Sequence, residues 1–238
     1  LVKGASVGEG LGNKFLSHIR EVDAIAQVVR MFEGTEVMHV DGSINPERDV
    51  ETINTELALA DLEVLSKRKE NATKQARAGK SKELEREIAV LDRALESLDK
   101  GMMLRDVAWS EEEHLALKPF NLLTFKPMLF VANVSESQWQ DETWKDRASS
   151  LKGAILPVCV KMEYDLAGMS VEEKREYLSM IGKESSGLDL LIKEAYRLLG
   201  LITFFTSGPD EARAWTITEG TKAPQAAGRI HTDFEKTF

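Results

Sequence analysis

Three hydrophobic patterns divide the chain. Residues 127–132 form a short, nearly continuous apolar run that turns polar at once, as in a strand buried on both faces of a parallel sheet. Residues 155–160 repeat this pattern, and residues 24–32 read as a further strand. The second pattern has a longer period. Val50, Ile53, Leu57, Ala60 and Val64, then Leu84, Ile88, Leu91, Leu95, Leu98 and Met102, alternate spacings of three and four on either side of a polar stretch near Gly79. Two such seams predict an antiparallel coiled-coil hairpin, because one continuous helix would leave two apolar stripes exposed. Asn45 and Pro46 suit its N-cap and first position. Shorter helices are predicted over 13–22, where Leu11, Phe15, Ile19 and Val22 recur at helical spacing, after Ser110, which forms a capping box with Glu113, and over 138–151, 171–181 and 188–199. After Gly200 the pattern changes again. Residues 202–206, a turn over 207–210 and residues 212–218 predict a β-hairpin.

Composition narrows the class. A chain of 238 residues, 42% hydrophobic and 30% charged, is long enough for more than one domain and fits a soluble protein. No apolar run reaches membrane-spanning length, and the N-terminus lacks a signal-peptide layout, so a cytoplasmic location without a membrane partner is expected. Cys159 is the single cysteine. That excludes a disulfide framework and a cysteine metal site within the chain, and its apolar surroundings suggest a buried structural thiol. A net charge of -9 argues against indiscriminate nucleic-acid binding, and DNA is not an expected partner. The charge is uneven, however. Lys67, Arg68, Lys69, Lys74, Arg77, Lys80 and Lys82 stand against Glu70 alone between residues 67 and 82, a local +6 that leaves -15 for the rest. A basic hairpin tip on an acidic body suits contact with ribosomal RNA at one place; a solvated tip is the competing reading. No aromatic residue interleaves with these charges, so base stacking is not supported.

The candidate chemistry sits just beyond the strand at 127–132, because ligands of open α/β sheets bind outside the carboxyl ends of strands. There the chain reads Asn133, Val134, Ser135, Glu136. Apolar strand followed by Asn-x-x-acid resembles the base-recognition motif of P-loop GTPases, in which Asn and Asp flank a Lys. Glu136 replaces the Asp that accepts two N–H groups from guanine, which puts guanine preference in question. The same residues also suit a plain strand-to-helix turn, with Asn and Ser as turn and N-cap residues.

At the N-terminus, KGASVGEGLGNKFLSHIREVDAI resembles the second switch region of the Obg-like branch of P-loop NTPases. The resemblance makes Leu1, Gly4, Gly8, Gly10 and Gly12 switch-loop residues. It also places an Asp-x-x-Gly motif immediately before Leu1, and no G-x-x-x-x-G-K-[ST] phosphate loop occurs in the sequence. The chain therefore reads as truncated at its N-terminus. Leu1 would occupy the place of the water-positioning Gln in Ras-type enzymes. Leucine cannot orient water, which leaves His39 as the catalytic candidate against a reading as a partly buried strand or loop residue. His18 reads as packing or surface. Toward the other end, Arg213 to Thr216, Gly220, Thr221, Ala223, Pro224, Gln225, Ala227, Ile230 and His231 resemble a TGS domain, a small β-grasp module that the chain is expected to leave incomplete. His231 and Asp233 read as turn residues rather than an acid/base pair.

Taken in order, these segments resemble the YchF/Obg-like ATPase family of P-loop NTPases over essentially the whole chain. The implied fold is α/β: a partial P-loop NTPase domain lacking its phosphate loop, over 1–44 and 106–200, an inserted antiparallel helical hairpin over 45–105, and a partial TGS domain over 201–238. The resemblance implies ATP and Mg²⁺ as cofactors, hydrolysis at the β–γ bond, ribosome association, and regulation of translation or stress responses. Asn133, Val134 and Glu136 would hold the adenine end, and Val160, Lys161 and Met162 match only loosely the last base-contacting loop. No metal ligand is assigned, and the chain by itself is expected to hydrolyse little or nothing. Two alternatives are an Obg-type GTPase and a non-catalytic module that docks on a ribosome or protein.

Overall fold

The computed structural model describes Gly4 and residues 11–33, 43–79, 81–209 and 211–237. Leu1, Gly8, Gly10, His39 and Lys80 lie outside them. The chain divides into two compact units, Leu1–Ile155 and Leu156–Phe238.

In the first unit, α1 (Leu11–Glu21) leads into β1 (Ile25–Arg30). Gly12 therefore belongs to the first turn of a helix rather than to the switch loop. The apolar face of α1 is also rotated from its expected position: Leu16 is buried, whereas Phe15 and Val22 are half exposed. Then follow α2 (Pro46–Ala78) and α3 (Lys82–Asp99). Asn45 accepts from the Arg48 N–H to cap α2. Its 33 residues extend about 50 Å at 1.5 Å per residue. Leu65, Leu91, Ala94 and Leu98 pack between the two helices with Leu104, Leu117 and Leu122 below them. Met103 takes the buried place expected of Met102, which is 43% exposed. The cause is the end of α3, where Gly101 adopts φ 74°. Its N–H donates to the Leu98 carbonyl and the Met102 N–H to the Ser97 carbonyl, a Schellman closure that breaks the helical period.

Ser110 and Glu113 form the expected capping box on α4 (Glu111–Leu117), which precedes β2 (Met128–Asn133). β1 and β2 pair in parallel from Ile25 opposite Met128 to Arg30 opposite Asn133. Residues 128–132 of β2 are all buried, as the apolar run requires. Helices α5 (Glu136–Asp141) and α6 (Trp144–Ala148) replace the single helix expected over 138–151. Glu142 between them is left-handed, with φ 60°. Strand β3 (Ala154–Val158) completes the order β1-β2-β3, and the division between units falls within it.

The second unit continues with α7 (Val160–Ala167), α8 (Val171–Met180) and α9 (Gly187–Leu198). Antiparallel strands β4 (Leu201–Ser207) and β5 (Ala212–Thr218) follow, then α10 (Ala223–Ile230) and α11 (Thr232–Thr237). Residues 160–162 form the first turn of α7, not an open loop after a strand. Met162 and Leu166, four apart and both nearly inaccessible, draw this segment into helix. Cys159 is a buried free thiol. Among the described residues no helix is long and apolar enough to cross a membrane.

Candidate functional site

The turn after β2 is held from several sides. The Met31 N–H donates to the Asn133 carbonyl at 2.9 Å, extending the strand pairing by one bond. Ser135 then caps α5: its Oγ accepts from the Gln138 N–H at 3.2 Å, while the Gln138 Oε1 accepts from the Ser135 N–H at 3.0 Å. Gln138 also donates from Nε2 to the Met31 carbonyl at 3.1 Å. Trp139 is 3% exposed and anchors α5 beneath the turn.

This frame gives the predicted residues different roles. Asn133 is partly exposed at the strand's carboxyl end, and its side-chain amide makes no hydrogen bond among the described residues. Val134 is 2% exposed and offers almost no surface to a ligand. Glu136 begins α5 and is partly exposed. The N-cap role of Ser135 is therefore real, and it coexists with an Asn133 amide that has no partner among the described residues rather than replacing it. Gln138, which the sequence reading did not single out, carries a visible signal: it stands three residues after Ser135, the spacing of a capping box.

A second group of contacts ties the segment around α1 to the helical pair. Gly4, at φ +85°, donates its N–H to Glu56 Oε1 at 2.5 Å. Arg20 donates to Asp61 Oδ1 at 2.9 Å and to the Ala60 carbonyl at 3.1 Å. Asp61 is wholly buried yet fully partnered. Its carboxylate also accepts from the Leu123 N–H at 3.0 Å, the Thr124 N–H at 2.7 Å and the Thr124 hydroxyl at 2.8 Å. Four donors offset the desolvation of one buried charge. Sequence reading missed Asp61 because its partners lie 41, 62 and 63 residues away.

The basic cluster is less free than its count along the chain suggests. Arg68 makes a two-pronged bond to Glu87 at 2.6 and 2.7 Å, which holds the guanidinium pKa above its ordinary value. Lys69 pairs with Asp92 at 2.5 Å and Lys74 with Glu70 at 2.6 Å. Lys67, Arg77 and Lys82 have no ion pair among the described residues. The facing helix supplies acids that a one-dimensional count cannot see. His231 and Asp233 come within 3.5 Å on the exposed surface, beside Phe234 rather than a nucleophile.

Among the described residues no group of three His, Cys, Asp or Glu side chains is arranged to hold a metal. No step is assigned to the Mg²⁺ that the resemblance implies.

Known proteins share this chain throughout. It is 46% identical over 242 residues to the protein named ribosome-binding ATPase YchF in Escherichia coli O157:H7, across 100% of this chain and 66% of that protein. The protein of that name in Bacillus subtilis is 45% identical over 245 residues, across 100% and 67%. Obg-like ATPase 1 of Saccharomyces cerevisiae is 41% identical over 251 residues, across 100% and 63%. A solved structure described as the Schizosaccharomyces pombe YchF GTPase superposes with a TM-score of 0.83 at 38% identity, covering 98% of this chain and 65% of that one. The family model "YchF-GTPase_C: Protein of unknown function (DUF933)" matches residues 201–238. The chain spans about two thirds of the length of the curated relatives it matches. With identity of this order along its whole length and a mixed α/β fold to match, the chain belongs to the YchF/Obg-like family.

Proposed function

We propose that this chain supplies the base-reading half of an ATP-hydrolysing, ribosome-associated nucleotide switch, with Asn133 and Glu136 on the adenine ring. The observation that carries this reading is the Asn133 amide, without a hydrogen-bond partner among the described residues, at the carboxyl end of a parallel strand, with Glu136 beginning the helix after it. An amide both donates and accepts, and a carboxylate accepts, so the pair complements the amino group and ring nitrogens of adenine. Val134, almost inaccessible, is assigned a packing role at this turn. The names of the relatives support ribosome association and nucleotide hydrolysis, although one is called a GTPase. Magnesium and the phosphates would be held by groups beyond this chain's described residues, and His39 is the residue we assign to the attacking water.

The test is the affinity of the intact protein for labelled ATP and labelled GTP, with and without Glu136→Asp. ATP preference that weakens in the variant is expected. Equal or GTP-favouring binding would overturn the adenine assignment in favour of an Obg-type GTPase, whereas no binding of either would leave a docking module. In the same protein His39→Ala should lower kcat about 100-fold or more, the usual contribution of a positioned acid or base, without altering nucleotide affinity. Unchanged kcat would remove His39 from the mechanism.

A further inference from the structure

Gln138 uses a single side-chain amide for two tasks. Its Oε1 accepts from the Ser135 N–H at 3.0 Å, the half of a capping box that a glutamate would perform equally well. Its Nε2 donates to the Met31 carbonyl at 3.1 Å, across to the end of the neighbouring strand, and a carboxylate has no proton for that bond. Met31 is fully buried and its own N–H holds the Asn133 carbonyl at 2.9 Å. Met31 and Gln138 therefore close a ring of hydrogen bonds around the turn: Asn133 to Met31, Met31 to Gln138, Gln138 to Ser135. Asn133 is a member of this ring, and Glu136 follows directly on Ser135, another member.

We infer that Gln138 is a positioning residue for base recognition, fixing the separation of Asn133 and Glu136 without touching the nucleotide. The inference rests on the reading that the base binds at this turn. Base selection depends on donor and acceptor placement within a few tenths of an ångström, because a misplaced polar group is left unpaired in a desolvated site. An amide, rather than any other capping side chain, is what the geometry demands at 138.

Gln138→Glu separates the two tasks, since it keeps the cap and removes the tie. In the intact protein it should raise the KM and Kd for ATP about tenfold, lower the ATP-to-GTP preference and leave kcat within about twofold, the pattern of a lost binding interaction. The thermal midpoint should fall modestly, because the buried Met31 carbonyl loses its donor. Gln138→Ala, which loses cap and tie together, should lower that midpoint further. Wild-type ATP affinity and base preference in Gln138→Glu would overturn the inference, as would a fall in kcat at unchanged KM, or ATP and GTP binding weakened equally. Asn133→Ala and Glu136→Ala, measured alongside, separate the two possible failures. If they weaken ATP binding and Gln138→Glu does not, only the positioning role falls. If they too bind ATP normally, the base is not read at this turn and both readings fall.

Discussion

At the scale of single residues, the deepest dependency is on Asp61. Removing a buried carboxylate with four donors leaves Arg20 and the 123–124 backbone without their acceptor, so Asp61→Ala should cost about 3–5 kcal/mol. Urea unfolding measures this, and a loss below about 1 kcal/mol, the size of a single ordinary hydrogen bond, would contradict it. Thr124→Val removes one of the donors and should cost much less. Glu113 gives a pH-dependent counterpart. Its carboxyl is held below the usual range, first by the hydrogen bonds from Arg93 and then by the Ser110 N–H. A carboxyl depressed on folding stabilises the protein above its unfolded value and loses that effect as pH falls through the lower folded one. Glu113→Gln should therefore be less stable than wild type near neutral pH, and the two stability curves should converge in acid. Parallel curves would show that the charge is not the source. The Ser110–Glu113 cap was legible because its partners lie three residues apart. Asp61 was not, although a lone acid beside Ala60 in an apolar seam is the kind of signal that asks for a distant partner.

At the scale of elements, the strand at 127–132 and the long helices were readable because each repeats its pattern over many residues. The exceptions are local. One residue of rotation separates the expected face of α1 from the observed one, since Leu16 and its neighbours Phe15 and Ile19 fit two overlapping helical stripes. Residues 155–160 read as continuous strand because a short apolar run does not distinguish strand from the start of a helix. For the helical pair, the structure redistributes the charge. Arg68 and Lys69 pair with acids on α3, whereas Lys67, Arg77 and Lys82 make no ion pair among the described residues. Charge reversal of those last three should weaken ribosome co-sedimentation of the intact protein and flatten its salt dependence, each phosphate contact being worth a slope of roughly 0.7–0.9. Reversal of Arg68 and Lys69 should instead act mainly on stability. Identical salt dependence in the first variant would remove the basic end of the helices from ribosome contact. In the second unit, Gly187 gives a purely steric test. A methyl group there would lie 3.1 Å from the Val158 Cα and from Glu163 Oε1. Gly187→Ala should accordingly lower the thermal midpoint, despite alanine's better helix propensity, and a raised midpoint would show that the neighbours yield.

At the scale of the whole molecule, family membership was legible from long ordered motifs, while the roles within the candidate site were not. Asn133 and Glu136 can be picked from sequence, but the ring of hydrogen bonds that steadies them needs Met31, which follows a different strand. One further consequence lies in the way β1 reaches β2. Ile25 must find Met128, and closing so long a chain is entropically costly and slow. The helical pair lies entirely within that connection, and its two arms pack with partners near in sequence. If it forms early, it folds the intervening chain back on itself and shortens the search that the strands must make. Leu91, fully buried between the arms, reports on this order of events: Leu91→Ala should cost about 2–5 kcal/mol at equilibrium, with most of the loss appearing as slower refolding rather than faster unfolding. The paired arms would then serve the nascent chain before they serve any partner, as the splint on which its parallel sheet is set.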